Sequence, residues 1–233
     1  MEHRVITLLL AAAAAAAPAG YNEVQRLDLT QALHTKTPWS ASLLQPADDP
    51  DGTGQRAARV CLTGGRDQKT ACTDLMANAY VLQTIDDAEV ETLSARTGRS
   101  ALVVRAHFSG GSHELRQTMA FTYNGAGLAD DVSQTAAFDR GDLGEERLFA
   151  QGPLDGLYVV ADARIRGQET RWDDHRYSIS VYRLTPYGGY DQVLQYVTAP
   201  SYPSEREDPR FVIDHELPRL KGLLAATYPK GLP

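Results

Sequence analysis

The sequence predicts a mainly β protein, either an antiparallel sandwich or a barrel-like meander, that ends in a short helix. Two pairs of β-prone runs carry this prediction. Residues 101–108 and 113–123 flank a Gly110-Gly111 signal, and residues 177–184 and 190–197 flank a Gly188-Gly189 signal. Paired glycines between two such runs are typical of hairpins. Several strands with short turns and few helices favour a sandwich or a barrel.

The N-terminal arm, residues 20–56, allows two interpretations. Its apolar residues between Val24 and Leu33 are spaced so that they could share one face of a short helix, which Pro38 would end. An extended segment that covers a sheet edge is the alternative. Residues 46–54 are rich in Pro, Asp and Gly, which predicts a loop between the arm and a single β domain over residues 57–233.

Shorter patterns complete the predicted domain. Residues 130–143 lack a clear period and are interpreted as a loop. A helix is predicted over residues 217–228, with Asp214 as its N-cap and Pro218 at an early position. The further predicted strands are 80–85, 90–95, 147–150, 157–163 and 211–213.

The first nineteen residues predict export. A charged start at Glu2 to Arg4 precedes an apolar, alanine-rich run that closes on Ala17-Pro18-Ala19. These are the three regions of a secretory signal peptide, and the apolar run is shorter than a membrane span requires. We therefore expect residues 1–19 to be removed, the mature chain to have no membrane span, and the periplasm to be its location, with secretion as the alternative.

The net charge of the chain argues against one class of partner, nucleic acid. The formal net charge is −7, from 30 acidic and 23 basic residues. Because binding to phosphate backbones needs clustered Lys and Arg, the chain is not expected to bind nucleic acid.

The two cysteines predict a disulfide. Cys61 and Cys72 lie in β-prone runs on either side of a Gly64-Gly65 turn signal, so they could face each other across a hairpin. An oxidising compartment favours the bond, and closing so short a loop should contribute about 2–3 kcal/mol.

The 101–123 hairpin offers candidate catalytic and binding residues. With a four-residue turn at Ser109 to Ser112, His107 would lie opposite Glu114 and Arg105 opposite Arg116. A carboxylate beside an imidazole can tune its basicity for acid–base catalysis. The alternative is a solvated polar face, which strand alternation produces without any function.

No metal site and no cofactor are expected. Two triplets, Asp173-Asp174-His175 and Asp214-His215-Glu216, contain metal-ligating residue types. Neighbours in a strand point to opposite faces, and neither triplet has the ligand spacing of a zinc site. We interpret the first triplet as a turn and the second as helix capping. If either triplet took part in a metal site, the ligands would be Asp173, His175, Asp214 and His215.

Tyrosines in the last third predict a binding surface. Tyr187 and Tyr190 flank the Gly188-Gly189 turn, so both are expected near the surface, where tyrosine suits protein recognition. Cross-strand packing is the alternative. The residues predicted to contact a partner are Tyr187, Tyr190, Ser109, Gly110, Arg105 and Arg116.

These patterns favour a non-enzymatic binding protein. We expect an exported module of the inhibitor or immunity type, whose partner is a periplasmic or envelope protein. The alternative is a hydrolase of envelope material that uses His107 and Glu114, or the acids of the two triplets.

Overall fold

The computed structural model describes residues 17–47, 56–77, 80–110, 113–125, 130–204 and 211–231, with only the backbone at 109, 110, 113 and 114. Most of the predicted leader and of the predicted 46–54 loop lies outside these residues.

The described residues form fourteen strands, one 3-10 turn and one helix. The first seven strands are β1 (Tyr21–Asp28), β2 (Trp39–Pro46), β3 (Arg59–Gly64), β4 (Lys69–Asp74), β5 (Met76–Ala77), β6 (Tyr80–Val81) and β7 (Thr84–Ser94). The others are β8 (Arg99–Gly110), β9 (His113–Asn124), β10 (Asp131–Gly141), β11 (Glu145–Phe149), β12 (Leu157–Arg164), β13 (Arg176–Leu184) and β14 (Tyr190–Val197). A 3-10 turn spans Gly152–Leu154, and helix α1 spans Phe211–Thr227.

Three antiparallel meanders stack into a layered sandwich. The N-terminal sheet has the order β1-β2-β3-β4, the middle sheet β10-β9-β8-β7, and the C-terminal sheet β11-β12-β13-β14. Strands β5 and β6 form a separate two-stranded ribbon. No barrel closes among the described strands, so of the two predicted architectures the sandwich is confirmed, together with the C-terminal helix.

The middle sheet is buried on both faces. Leu102, Val104 and Ala106 of β8 pack in a core with the N-terminal sheet, whereas Ala101 and Val103 belong to a core that the C-terminal sheet covers. This double burial explains why residues 101–104 are continuously apolar instead of alternating.

The C-terminal sheet is also covered on both sides. Tyr158 and Val160 of β12 face the middle sheet, and Leu157, Val159 and Ala161 face α1. The layers therefore follow the order N-terminal sheet, middle sheet, C-terminal sheet, helix. No helix of the described residues has the length and apolar character that crossing a bilayer requires.

The predicted N-terminal helix is wrong. Residues 21–28 form β1, which pairs with β2, so the extended alternative is the one found. Exposed and partly buried residues are mixed along β1, and this pattern is typical of an edge strand rather than of an apolar helical stripe. Because β2 in turn pairs with β3, the arm supplies two of the four strands of the N-terminal sheet.

Two other predictions need correction. Residues 131–141 form the edge strand β10 instead of a loop, paired along its length with β9. Residues 211–213, predicted as a strand, begin the helix. Asp214 is therefore not the N-cap but a residue of the first helical turn.

A distant side chain stabilises the start of α1. Glu145 of β11 is buried, and its two carboxylate oxygens accept the N–H groups of Val212 at 3.1 Å and Ile213 at 3.0 Å. These amides have no partner within the helix, so the carboxylate takes the role of a capping residue.

The predicted disulfide is present. Cys61 of β3 and Cys72 of β4 are directly opposite each other, and their sulfur atoms are bonded. The bond ties the exposed edge strand β4 to the core of the N-terminal sheet.

Candidate binding site

In the observed register of the 101–123 hairpin, His107 does not lie opposite Glu114 as predicted. Gly110 pairs with His113 and Ser109 with Glu114, so two residues connect the strands instead of four. His107 consequently lies opposite Arg116, and Arg105 lies opposite Thr118. Since the shift is two residues, the side chains keep their predicted faces. The side chains of Ser109 and Glu114 lie outside the described part of the structure.

His107 contacts the carboxylate of Asp86. Its Nδ1 is 2.6 Å from Oδ1 of Asp86, the residue near the start of β7. The other oxygen of Asp86 is 4.0 Å from Nη1 of Arg116. A His–carboxylate pair thus exists, but sequence reasoning missed its acid because Asp86 was interpreted as the end of a strand.

Arg105 lies at the centre of an ion-pair network between two sheets. Its Nη2 donates to Oε1 of Glu91 at 2.5 Å, and its Nε donates to Oε1 of Glu146 at 3.2 Å. Asp87 accepts from Nη1 at 3.4 Å. Burial alone would lower the pKa of Arg105, but these carboxylates outweigh it and the pKa is raised.

Glu146 is fully engaged by donors. Its carboxylate accepts the Thr118 hydroxyl at 2.9 and 2.8 Å and the Tyr158 hydroxyl at 2.7 Å. Nε of Arg140 lies 3.5 Å from it. Burial, together with this carboxylate, raises the pKa of the Tyr158 phenol well above its ordinary value. The phenol therefore stays neutral and serves as a hydrogen-bond donor.

These groups line a cleft of about 680 Å³ between the middle and C-terminal sheets, here called the charged cleft. Of the residues that the structure describes, six with carboxylates and four with guanidinium groups line it. All four of its arginines, Arg105, Arg116, Arg140 and Arg147, have a carboxylate within 4.0 Å. Two of these partners, Asp86 and Asp214, lie outside the lining, and the lining carries more carboxylates than guanidinium groups. His107 is not among the lining residues.

The two acidic triplets do not form a metal site. His175 is completely buried and exchanges backbone hydrogen bonds with Tyr202. Nδ1 of His215 donates to the carbonyl oxygen of Phe211, 2.7 Å away. Within the described ranges, no group of three or more His, Cys, Asp or Glu side chains could hold a metal ion.

The acids of the triplets have structural roles. Asp173 accepts the N–H and the hydroxyl of Thr170, at 2.6 and 2.9 Å, and so closes the predicted turn. Asp214 pairs with Arg147 of β11. Glu216 is buried and accepts the hydroxyl of Tyr202 at 2.8 Å.

The β13–β14 hairpin presents one tyrosine and buries the other. Tyr187 is 88% exposed, the largest value among the exposed large hydrophobic residues of the described part. Tyr190 is half-buried, with its ring 5.3 Å from that of Phe138 and 6.1 Å from that of Tyr158. The prediction that both tyrosines lie at the surface is therefore wrong for Tyr190, because β14 turns that side chain toward the middle sheet.

The turn that carries Tyr187 is closed and supported. Thr185 donates its N–H to the carbonyl of Gly189 at 2.8 Å, and Gly188 donates to the carbonyl of Thr185 at 3.1 Å. Gly188 has φ +91°, and a Cβ there would lie 2.6 Å from Oγ1 of Thr122 and 2.8 Å from Nη1 of Arg99. Both the positive φ and the close approach require glycine. The turn thus rests on the middle sheet.

The comparisons with known proteins add no functional assignment. No family model matches this chain, and no curated protein or solved structure matches it.

Proposed function

We propose that this chain is a non-enzymatic protein-binding module that contacts its partner through the tip of the β13–β14 hairpin. The supporting observation is Tyr187, a large aromatic side chain that is 88% exposed on a turn fixed by its own hydrogen bonds and by Gly188. A rigid tyrosine offers contact area at low entropic cost, and tyrosine is enriched in the residues that dominate binding energy.

We further propose that the module is exported, acts in the periplasm and is of the inhibitor or immunity type, with secretion as the alternative location. The sequence of residues 1–19 and the disulfide support export, since disulfides persist in oxidising compartments. The partner would be another periplasmic or envelope protein.

The hydrolase alternative has less support. His107 has a carboxylate partner in Asp86 but does not line the charged cleft, and Glu146 in that cleft is held by Arg105 and by the Thr118 hydroxyl. A general acid or base needs a proton that it can exchange with substrate, and a carboxylate engaged by several donors is poorly placed for that.

The test is capture of a partner by the mature chain and by the Tyr187→Ala variant, using extract of the compartment in which the protein is found. We expect Tyr187→Ala to weaken capture of a saturable partner at least about thirtyfold, which corresponds to the roughly 2 kcal/mol of a binding hot spot. Trp172→Ala is the matched control, because Trp172 is also exposed, at 67%, but lies between β12 and β13. Equal binding by all three proteins would contradict the proposal.

A companion assay addresses the alternative. Turnover of purified envelope material by the mature chain, lost in the His107→Ala variant with the fold intact, would favour the hydrolase. Absence of turnover together with capture that depends on Tyr187 would favour the binding module.

A further inference from the structure

A second cleft opens between the middle and C-terminal sheets, next to the Tyr187 turn. It has a volume of about 320 Å³ and lies where β7 turns into β8 and β13 turns toward β14. Among the described residues, three arginines line it, Arg96, Arg99 and Arg183, against one carboxylate, that of Asp155. We call it the basic cleft.

Two of the three arginines of the basic cleft lack the ion pairs that the arginines of the charged cleft form. Within the described residues, Arg99 and Arg183 form no ion pair, although the chain has 30 acidic residues for 23 basic ones. Arg96 pairs with Asp155 at 3.7 Å, and its side chain is 73% exposed. Such an excess of positive charge in a cavity of an acidic protein favours binding of a counter-charge.

Asp155 supplies only one negative charge for the three arginines, and its hydrogen bonds are made elsewhere. Its side chain is only 7% exposed, and its carboxylate accepts the Ser94 hydroxyl at 2.7 Å and the N–H groups of Ala95 and Arg96 at 3.0 and 3.3 Å. The carboxylate is thus turned into the β7–β8 connection. Its role is to hold that connection in place, and with it the backbone that carries Arg96.

Arg99 is held in position by the fold. It lies at the start of β8, on the face shared with Ala101 and Val103, so it points into the space between the two sheets. The absence of a side chain at Gly188 leaves room for its guanidinium group, because a Cβ at residue 188 would lie only 2.8 Å from Nη1 of Arg99. Thr97 and Thr185 add hydroxyl groups to the lining.

We propose that the basic cleft is an anion-binding site that takes a carboxylate or phosphate group. Guanidinium groups offer paired N–H donors whose geometry matches both kinds of oxyanion. The anion would come either from a small solute or from an acidic group on a bound chain. The site uses other side chains than the Tyr187 surface and does not rest on the proposed function.

The experiment is a titration of the mature protein at constant ionic strength, followed by amide and arginine side-chain NMR signals. One arm uses inorganic phosphate and the other an acetylated tri-aspartate amide. We expect saturable shifts confined to the 94–99, 155–156 and 183–188 segments. Tighter binding of phosphate would assign the site to a small solute, and tighter binding of the peptide would assign it to a chain-borne acid.

Variants separate the site from general electrostatics. Arg96→Ala and Arg183→Ala should each weaken binding of the tighter probe about tenfold, as expected for loss of one charge-assisted contact. Arg66→Ala, which removes the same charge from an exposed position of the N-terminal sheet, should leave binding unchanged. Tyr187→Ala should also leave it unchanged, which distinguishes this site from the partner surface. Non-saturable shifts with both probes, or equal weakening by Arg66→Ala, would overturn the proposal.

Discussion

The buried carboxylate of Glu145 accepts the backbone N–H of Val212, 67 residues later in the chain. Through this contact and its twin at Ile213, strand β11 fixes where α1 begins and how the helix approaches the C-terminal sheet. The helix start is thus stabilised by a side chain from a different layer.

We expect Glu145→Gln to destabilise the protein by about 1–2 kcal/mol, because a neutral amide loses the charge-assisted bonds to two helical N–H groups. Urea unfolding of the variant measures the change. Glu89→Gln is the control, since the Glu89 side chain is 65% exposed and 4.0 Å from its nearest cation. Equal effects of the two substitutions would contradict the capping role.

Arg105→Ala should be more damaging, about 2–4 kcal/mol, because it removes the cation from Glu91 and leaves Glu146 with Arg140 alone, at 3.5 Å. The double variant Arg105→Ala with Glu91→Gln should recover part of this loss, since the charge that lost its cation is gone. Equilibrium unfolding of the four proteins of the cycle gives the coupling. Strict additivity would mean that the short contact carries no net interaction.

The lowered pKa of Asp155 predicts that the free energy of unfolding depends on pH. Burial raises its pKa, but the hydrogen bonds from Ser94, Ala95 and Arg96 outweigh burial and hold the pKa below its ordinary value of 3.8. A carboxylate with a lowered folded-state pKa contributes its full stability above its unfolded value, and that contribution is lost as the pH falls through the lower folded value.

Asp155→Asn should therefore cost about 1–2 kcal/mol at about pH 7, and the gap to the natural protein should narrow at about pH 3. Unfolding at both pH values tests this. Asp67→Asn serves as the comparison, since the Asp67 side chain is 69% exposed and its pairing with Lys69 is at the surface. A gap that stays constant with pH would refute the assignment.

Two glycines should respond in opposite ways to alanine. Gly188→Ala is expected to destabilise by more than about 1 kcal/mol, because it combines a positive φ with a clash against Thr122 and Arg99. Gly222→Ala should stabilise by up to about 1 kcal/mol, because Gly222 lies within α1 and a Cβ there meets nothing within 4 Å. Thermal unfolding checks both signs, and the same sign for both would be contrary to this expectation.

Local signals explain what could be predicted of the fold. The β8–β9 and β13–β14 hairpins and the Cys61–Cys72 bond each depend on a turn signal between two neighbouring runs, so short-range patterns identify them. The sequence pattern did not predict strand β10, because β10 is an edge strand in which only Val132 and Phe138 are strongly buried. Edge strands tolerate polar residues on both faces and therefore lack a clear alternation.

The candidate sites were harder to predict than the fold. Arg105 and Glu146 lie 41 residues apart on different sheets, and no pattern along the chain specifies which sheets face each other. Arg96, Arg99 and Arg183 are brought together in the same way. Similarly, Phe211-Val212-Ile213 favours a strand by its residue types, but packing of Val212 and Ile213 on the C-terminal sheet makes it helical.

The succession of the three meanders has a consequence for folding order. Every sheet is built from one uninterrupted stretch, so its strand pairings close short loops and can form before the next stretch is available. A chain in which β7 to β10 have paired before β11 to β14 presents Ala101, Val103 and Ala120 to water. The hazard of aggregation is therefore greatest while the third meander is unpaired, and it ends when that meander covers the middle sheet.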